Sequence, residues 1–171
     1  MGHTFQKIYD AGTDSKIKND YIHGKAALSN NIDSYNLVLD IDEYLTGDAR
    51  NQDNYFIQFK KFYQRIYKGT GCHYVDWLND VNIFNSRFPK TKPMPLNLFI
   101  YGHSLDVTDA DILRKLLLAD NSSTTIFYHN KEALESQIAN LVKVIGEDEV
   151  IRRTDGSHRT IHFKQSSLDI V

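Results

Sequence analysis

Residues 98–113, LFIYGHSLDVTDADIL, carry side chains that could either attack a substrate or hold a ligand. A serine in the pattern Gly-x-Ser-x-Gly, between a strand and a helix, is the nucleophile of α/β-hydrolases, because both glycines let the backbone turn sharply. Here the pentad is Gly102-His103-Ser104-Leu105-Asp106, which lacks the second glycine. The best helix start is Thr108 and not Ser104. A serine hydrolase acting through Ser104 is therefore the weakest interpretation of this segment.

The same residues fit a ligand-binding loop. Parallel α/β sheets bind ligands beyond the carboxyl ends of their strands, where loops meet helix N-termini. Gly102 would let a ligand approach the backbone, and Ser104 could form a hydrogen bond to it. Asp109 could contact a ribose hydroxyl, or hold the loop through the exposed amides of the next helix. The alternative is that Ser104 and Asp109 only satisfy amides of their own turn, and spacing alone leaves both interpretations open.

His23 and Gly24 pose the same question at the end of an extended stretch over residues 20–24. A histidine at a strand end titrates near neutral pH and could act as a general base, although a lone histidine is more often structural. Three acidic residues, Asp40, Asp42 and Glu43, follow a second extended stretch over residues 34–42 and could hold a divalent cation. A solvated turn is the favoured interpretation of that cluster, and no metal site is expected.

Hydrophobic periodicity predicts the elements that must position these groups. Helices are predicted over residues 52–69, 73–87, 109–119, 131–145 and 147–153, and strands over residues 96–101, 124–129 and 160–164. Thr108 and Asp111 have the spacing of a capping box for the third of these helices. The alternation of strand and helix predicts an α/β fold, with a Rossmann-like, mostly parallel sheet flanked by helices.

Two helices have clear apolar faces that we expect to be buried. The face of the first consists of Tyr55, Phe56, Phe59, Phe62, Tyr63, Ile66 and Tyr67. That of the helix over residues 131–145 consists of Leu134, Ile138, Leu141, Val142 and Ile145. Residues 88–95 hold all three prolines of the chain and are predicted to be an exposed connector within one domain.

Length and composition restrict the class of protein. The 171 residues are expected to form one α/β domain, and the formal charge of -2 gives no strong signal for nucleic-acid binding. Cys72 is the only cysteine, which excludes an internal disulfide and fits a cytoplasmic protein. No apolar run approaches the ~18 residues of a membrane span, so no membrane association is expected.

Several segments in order resemble the AbiH family of bacterial phage abortive-infection proteins, over essentially the whole chain. They are YIHGK, LVLDIDEYL, FKKFYQRIYKGTGCHYVDWL, LFIYGHSLDVTDADIL and TTIFYHNK. The opening HTFQKIYD resembles the segment after an Asn-Tyr-Thr signature of that family. The resemblance implies that residues 1–171 are a C-terminal fragment of a longer AbiH-like protein, whose Rossmann-like sheet is incomplete at the N-terminus. Asp40 departs from the family pattern, which has glycine there.

The AbiH family is similar, more distantly, to sirtuin-like domains that bind or hydrolyse NAD. This similarity implies that His23 is a catalytic base and that Gly24 lies in the nucleotide pocket. It further implies that Gly102, His103, Ser104 and Asp109 bind the nucleotide, which would be NAD or a related molecule.

The expected function is anti-phage defence, with nucleotide binding and an NAD glycohydrolase-like activity confined to the full-length form. One alternative is a non-enzymatic module that senses a phage component or a partner protein, and another is the serine hydrolase. A homo-oligomer could form through an exposed sheet edge.

Overall fold

The computed structural model describes residues 21–24, 37–38, 57–70 and 72–166. The chain divides into two compact units, Met1–Asp76 and Trp77–Val171. The single domain over residues 1–171 stays a prediction. The proline-rich segment, residues 88–95, belongs to the second unit, and each of its residues is exposed and lies outside helices and strands. Its role as a connector stays a prediction.

In the first unit, helix α1 spans Lys61–Lys68 and ends at Gly69, whose left-handed backbone lets its N–H reach the last helical carbonyls. A continuous helix over residues 52–69 is a wrong prediction, because residues 58–60 form a turn in which the Lys60 N–H donates to Ile57 O. The part of that helix before residue 57 lies outside the described residues.

The predicted burial of the aromatic face of α1 is also wrong within the described residues. Ile66 and Tyr67 are 78% and 79% exposed, whereas the polar Gln64 and Arg65 are buried. Lys68 and Thr70 explain the difference. The Lys68 ammonium donates to Leu37 O, and the Thr70 hydroxyl donates to Ile22 O at 3.0 Å. These hydrogen bonds hold the polar side of the helix toward Ile22 and Leu37.

The second unit contains a three-stranded sheet formed by the described residues. Its strands are β1 (Leu96–Ile100), β2 (Ser122–Tyr128) and β3 (Ile161–Gln165), all parallel and in the order β1-β2-β3. The helices are α2 (His73–Arg87), which begins in the first unit, a 3₁₀ helix (Val107–Asp109), α3 (Ala110–Leu117), α4 (Lys131–Ile145) and α5 (Glu147–Thr154). The predicted fold class is confirmed: the protein has an α/β fold with a parallel sheet flanked by helices, in an incomplete Rossmann-like arrangement.

The core of the second unit lies between one face of the sheet and helices α3, α4 and α5. The sheet contributes Leu98, Ile100, Ile126, Ile161 and Phe163, and the helices contribute Leu113, Leu117, Leu141, Val144 and Val150. Each fully buried leucine or isoleucine contributes about 1.5–3 kcal/mol to the free energy of unfolding. Every helix within the described ranges is too short or too polar to cross a lipid bilayer.

The buried face of α4 differs from the predicted one. Leu141 is fully buried as expected, but Ile138 is 38% exposed and Gln137 and Val144 are buried beside Leu141. Positions 137, 141 and 144 are four and three residues apart, so they share one side of the helix. The prediction of this face was wrong at Ile138, because the neighbouring Gln137 is buried in its place.

A cluster of charged side chains joins α5 to β3. Glu149 accepts hydrogen bonds from Arg152 and Arg153, and Arg153 Nη1 donates to the Thr160 hydroxyl just before β3. The Thr160 N–H in turn donates to Arg153 O at 2.8 Å. Hydrogen bonds from Arg152 and then Arg153 lower the pKa of the Glu149 carboxyl to about 2.

This lowered pKa predicts a pH-dependent stability. The folded-state pKa lies below the ordinary value of about 4.3, so the stabilisation is present above pH ~5 and is lost as the pH falls toward 2. We expect Glu149→Gln to be less stable than the wild type at pH 7, with a difference that shrinks by about half at pH 3 and nearly vanishes near pH 2. Urea denaturation at several pH values measures the difference between the two proteins, and a constant difference between pH 7 and pH 3 would contradict the role of the ionised carboxylate.

Candidate functional site

The loop after β1 and the 3₁₀ helix that follows it contain the predicted site residues of the second unit. Gly102 has φ +67°, and a Cβ placed there would meet nothing within 4 Å. Glycine is therefore favoured by the backbone conformation and not by crowding. Leu105 also adopts a left-handed conformation, with φ +60°, at a cost of roughly 1–2 kcal/mol for a residue with a side chain. Its side chain is fully buried, which offsets that cost.

The His103 imidazole has both nitrogen atoms engaged. The Leu105 N–H donates to Nδ1 at 2.8 Å, so Nδ1 carries no proton and Nε2 does. Nε2 lies 3.5 Å from a carboxylate oxygen of Asp109, which is 5% exposed. In this geometry His103 cannot take the proton of Ser104. The loop thus favours the positioning of polar groups over a nucleophilic serine.

Two amide side chains of α4 hold this loop in place. Gln137 Nε2 donates to His103 O at 3.0 Å and to Phe127 O at 3.2 Å, which links the loop to the end of β2. Asn140 Nδ2 donates to Ser104 O at 3.0 Å. Ser104 itself is exposed. Neither amide was predicted as part of the site, although a glutamine on the buried side of a helix is itself a signal, because a buried amide needs partners.

The helix start after the loop differs from the predicted capping box. Asp106, and not Thr108, is the cap: its carboxylate accepts from the Thr108 N–H at 2.9 Å. Asp106 already has the extended backbone of an N-cap residue, so the 3₁₀ helix begins directly after it and α3 begins at Ala110. The Asp109 side chain makes no capping hydrogen bond to α3 and faces His103 instead. The predicted contact of Asp109 with a ribose stays a prediction.

His23 and Gly24 lie in the first unit. The predicted extended stretch is wrong within residues 21–24, which form a turn closed by the Gly24 N–H donating to Tyr21 O at 2.7 Å. Gly24 has φ +77°, and this left-handed conformation reverses the chain after His23. His23 is half-buried, and its carbonyl accepts from the Val38 N–H at 2.8 Å. The second predicted strand, residues 34–42, lies outside the described residues except for 37–38.

The structure places His103 in contact with Asp109, and Gly102 and Ser104 flank His103 in the loop. It also adds Gln137 and Asn140, which orient that loop. Within the described ranges, no group of three or more His, Cys, Asp or Glu side chains is arranged to hold a metal ion. Asp40, Asp42 and Glu43 lie outside those ranges.

Comparisons of the chain with protein-family models, with curated proteins and with solved structures find no match. The resemblance to the AbiH family therefore rests on the motifs of the sequence.

The two hydrogen bonds of Gln137 predict a measurable stability effect. We expect Gln137→Leu to lower the free energy of unfolding by about 2 kcal/mol, since two bonds of ~1 kcal/mol each are lost and two carbonyl groups lose their donor. Urea denaturation measures this loss. Amide hydrogen exchange at Leu105 should also accelerate, because the loop loses its anchor on α4.

Asn140→Leu is the matched control on the same helix. It removes one donor at a half-exposed position, so its effect on stability should be smaller. If the two variants had equal stability, or if exchange at Leu105 were unchanged in Gln137→Leu, Gln137 would not be the anchor of the loop.

Proposed function

We propose that this protein binds a nucleotide, NAD or a related molecule, at the loop over residues 102–109, as an abortive-infection protein of the AbiH type. The observation that carries the proposal is the place of the loop. It follows the carboxyl end of a strand in a parallel sheet, which is where α/β folds bind their ligands. The motifs that resemble the AbiH family include this same loop.

The exposed groups of the loop suit a nucleoside. The Gly102 backbone is exposed and has no side chain to keep a ligand away. The Ser104 hydroxyl, also exposed, can donate to and accept from a ribose or base. The His103 side chain is 36% exposed. Its two nitrogen atoms, at the ring edge, are already engaged by Leu105 and Asp109, so a ligand would contact the flat face of the ring by stacking. Asp109 supports this role by orienting the imidazole.

The charges near the loop favour contact with the nucleoside part of a nucleotide over contact with its phosphate groups. Asp106, Asp109 and Asp111 lie on the loop and the first turn of α3, so negative charge surrounds the helix N-terminus. Such a site repels phosphate groups and accepts neutral hydroxyl-bearing groups. By resemblance, the glycine-rich motif of longer AbiH proteins would hold the phosphates.

Cleavage of the nucleotide is proposed for the full-length form alone. His23 would accept a proton from water while the water oxygen bonds to the anomeric carbon of the ribose. The N-glycosidic bond breaks at that carbon, and nicotinamide leaves. This role comes from the resemblance of the YIHGK segment.

Binding without cleavage is the second candidate function. It is favoured by the mutual contact of His103 and Asp109 at 3.5 Å, because these two groups at the centre of the loop are engaged with each other. A module of this kind would report the presence of a nucleotide, a phage component or a partner protein by a change in the loop.

Calorimetric titration of the chain with NAD and with adenosine tests the binding site. We expect Ser104→Ala to weaken binding by about tenfold, through loss of one hydrogen bond worth ~1.4 kcal/mol. Gly102→Ala should weaken it too, since the left-handed backbone is disfavoured for alanine. Ser136→Ala, an exposed serine of α4, is the control and should bind as the wild type does.

Nicotinamide release by the full-length protein separates the two candidates. Loss of release in His23→Ala with binding retained would support cleavage. Binding with no release in either protein would support the sensing module. If neither ligand bound to the wild type, or if Ser104→Ala bound normally, the loop would not be the nucleotide site.

A further inference from the structure

The sheet has a second face, opposite to the core, on which aromatic side chains are exposed. Side chains alternate along a strand, so Leu98 and Ile100 enter the core whereas Phe99 and Tyr101 point the other way. Phe99 is 69% exposed and Tyr101, directly after β1, is 63% exposed. The Tyr101 ring lies against Phe127 of β2, with centroids 5.7 Å apart and planes tilted by 51°.

The strand register arranges this face into two rows. In the first, Phe99 pairs with Thr125, which pairs with His162. In the second, Tyr101 contacts Phe127, which pairs with Lys164. Each row begins with an aromatic ring at β1 and ends with a basic group at β3. We call these six residues the aromatic–basic face.

Lys164 is the only formally charged side chain in the described strands, and it lies on this face. The three described strands contain no Asp or Glu, so His162 and Lys164 have no acidic neighbour within the sheet. The whole chain has a formal charge of -2, which makes the face a local exception. A partner that is both planar and anionic matches it in shape and in charge.

We propose that the aromatic–basic face binds single-stranded nucleic acid. Bases stack on exposed aromatic rings whatever their sequence, and phosphates are attracted by the basic groups beside them. The two rows lie about 7 Å apart along the strands, and β3 lies about 10 Å from β1. Two consecutive nucleotides thus place their bases over Phe99 and Tyr101 and their phosphates toward His162 and Lys164.

A second copy of the chain is a poorer occupant of this face. A two-fold contact brings the same patch to both sides, so the Lys164 side chains of both copies enter one interface with no acid on the face to neutralise them. An uncharged apolar partner would leave the same lysine desolvated. A phosphate backbone supplies the missing negative charge.

Fluorescence anisotropy with labelled eight-nucleotide single strands, and with duplexes of the same sequence, tests this proposal on the full 171-residue chain. We expect the single strand to bind and the duplex not to bind. Phe99→Leu and Tyr101→Leu should each weaken binding about tenfold, because a leucine keeps the apolar surface but cannot stack. Lys164→Gln should reduce the slope of log affinity against log salt concentration by about 0.7, as expected for one lost phosphate contact.

Ile151→Ala and Lys115→Gln are the matched controls, since both residues are exposed on the helices of the same unit. They should bind as the wild type does. The proposal is overturned if no single strand binds at low salt, if the duplex binds equally well, or if the controls weaken binding as much as the face variants. It is also overturned if sedimentation shows a wild-type dimer that Phe99→Leu dissociates, since this result would assign the face to a second copy.

Discussion

The buried amide of Gln137 is the interaction on which the rest of the candidate site depends. One nitrogen donates to carbonyl groups of both the loop after β1 and the end of β2, from a helix that begins after β2. A buried amide without such partners would cost about 1–3 kcal/mol. Gln137 can therefore occupy its core position only when the loop is in the conformation that supplies the His103 carbonyl. The packing of α4 and the shape of the loop are therefore coupled.

This coupling explains how the loop can contain a backbone conformation that its sequence disfavours. Leu105 has a positive φ, yet its N–H is satisfied by His103 and its side chain is fully buried. The His103 and Ser104 carbonyls are held at the same time by α4. The rigid scaffold thus fixes the polar groups of the loop before any ligand arrives, which reduces the entropy lost on binding.

Helices and strands are predicted best from the sequence where several local signals agree. Helix α4 has the predicted bounds, because Asn130 caps its start and Gly146 follows its end. The position of the loop at the end of a parallel strand was equally predictable. The His103–Asp109 contact was not, since Leu105 between them has a left-handed backbone that a leucine does not predict. The buried side of α1 was mispredicted because Lys68 and Thr70 form hydrogen bonds to distant parts of the chain, which override amphipathicity.

Strand β1 and the two residues after it contribute to the core, to the loop and to the exposed aromatic–basic face. Leu98 and Ile100 pack under the helices, Phe99 and Tyr101 stand on the opposite side, and Gly102 begins the loop. Because alternation fixes which side each residue faces, a shift of one residue in the register of β1 would bury both aromatic rings and expose both aliphatic ones. It would also displace the His103 carbonyl from Gln137. The hydrogen bonds of Gln137 consequently oppose a register shift, and they link the outer face of the sheet to the loop through the backbone of a single strand.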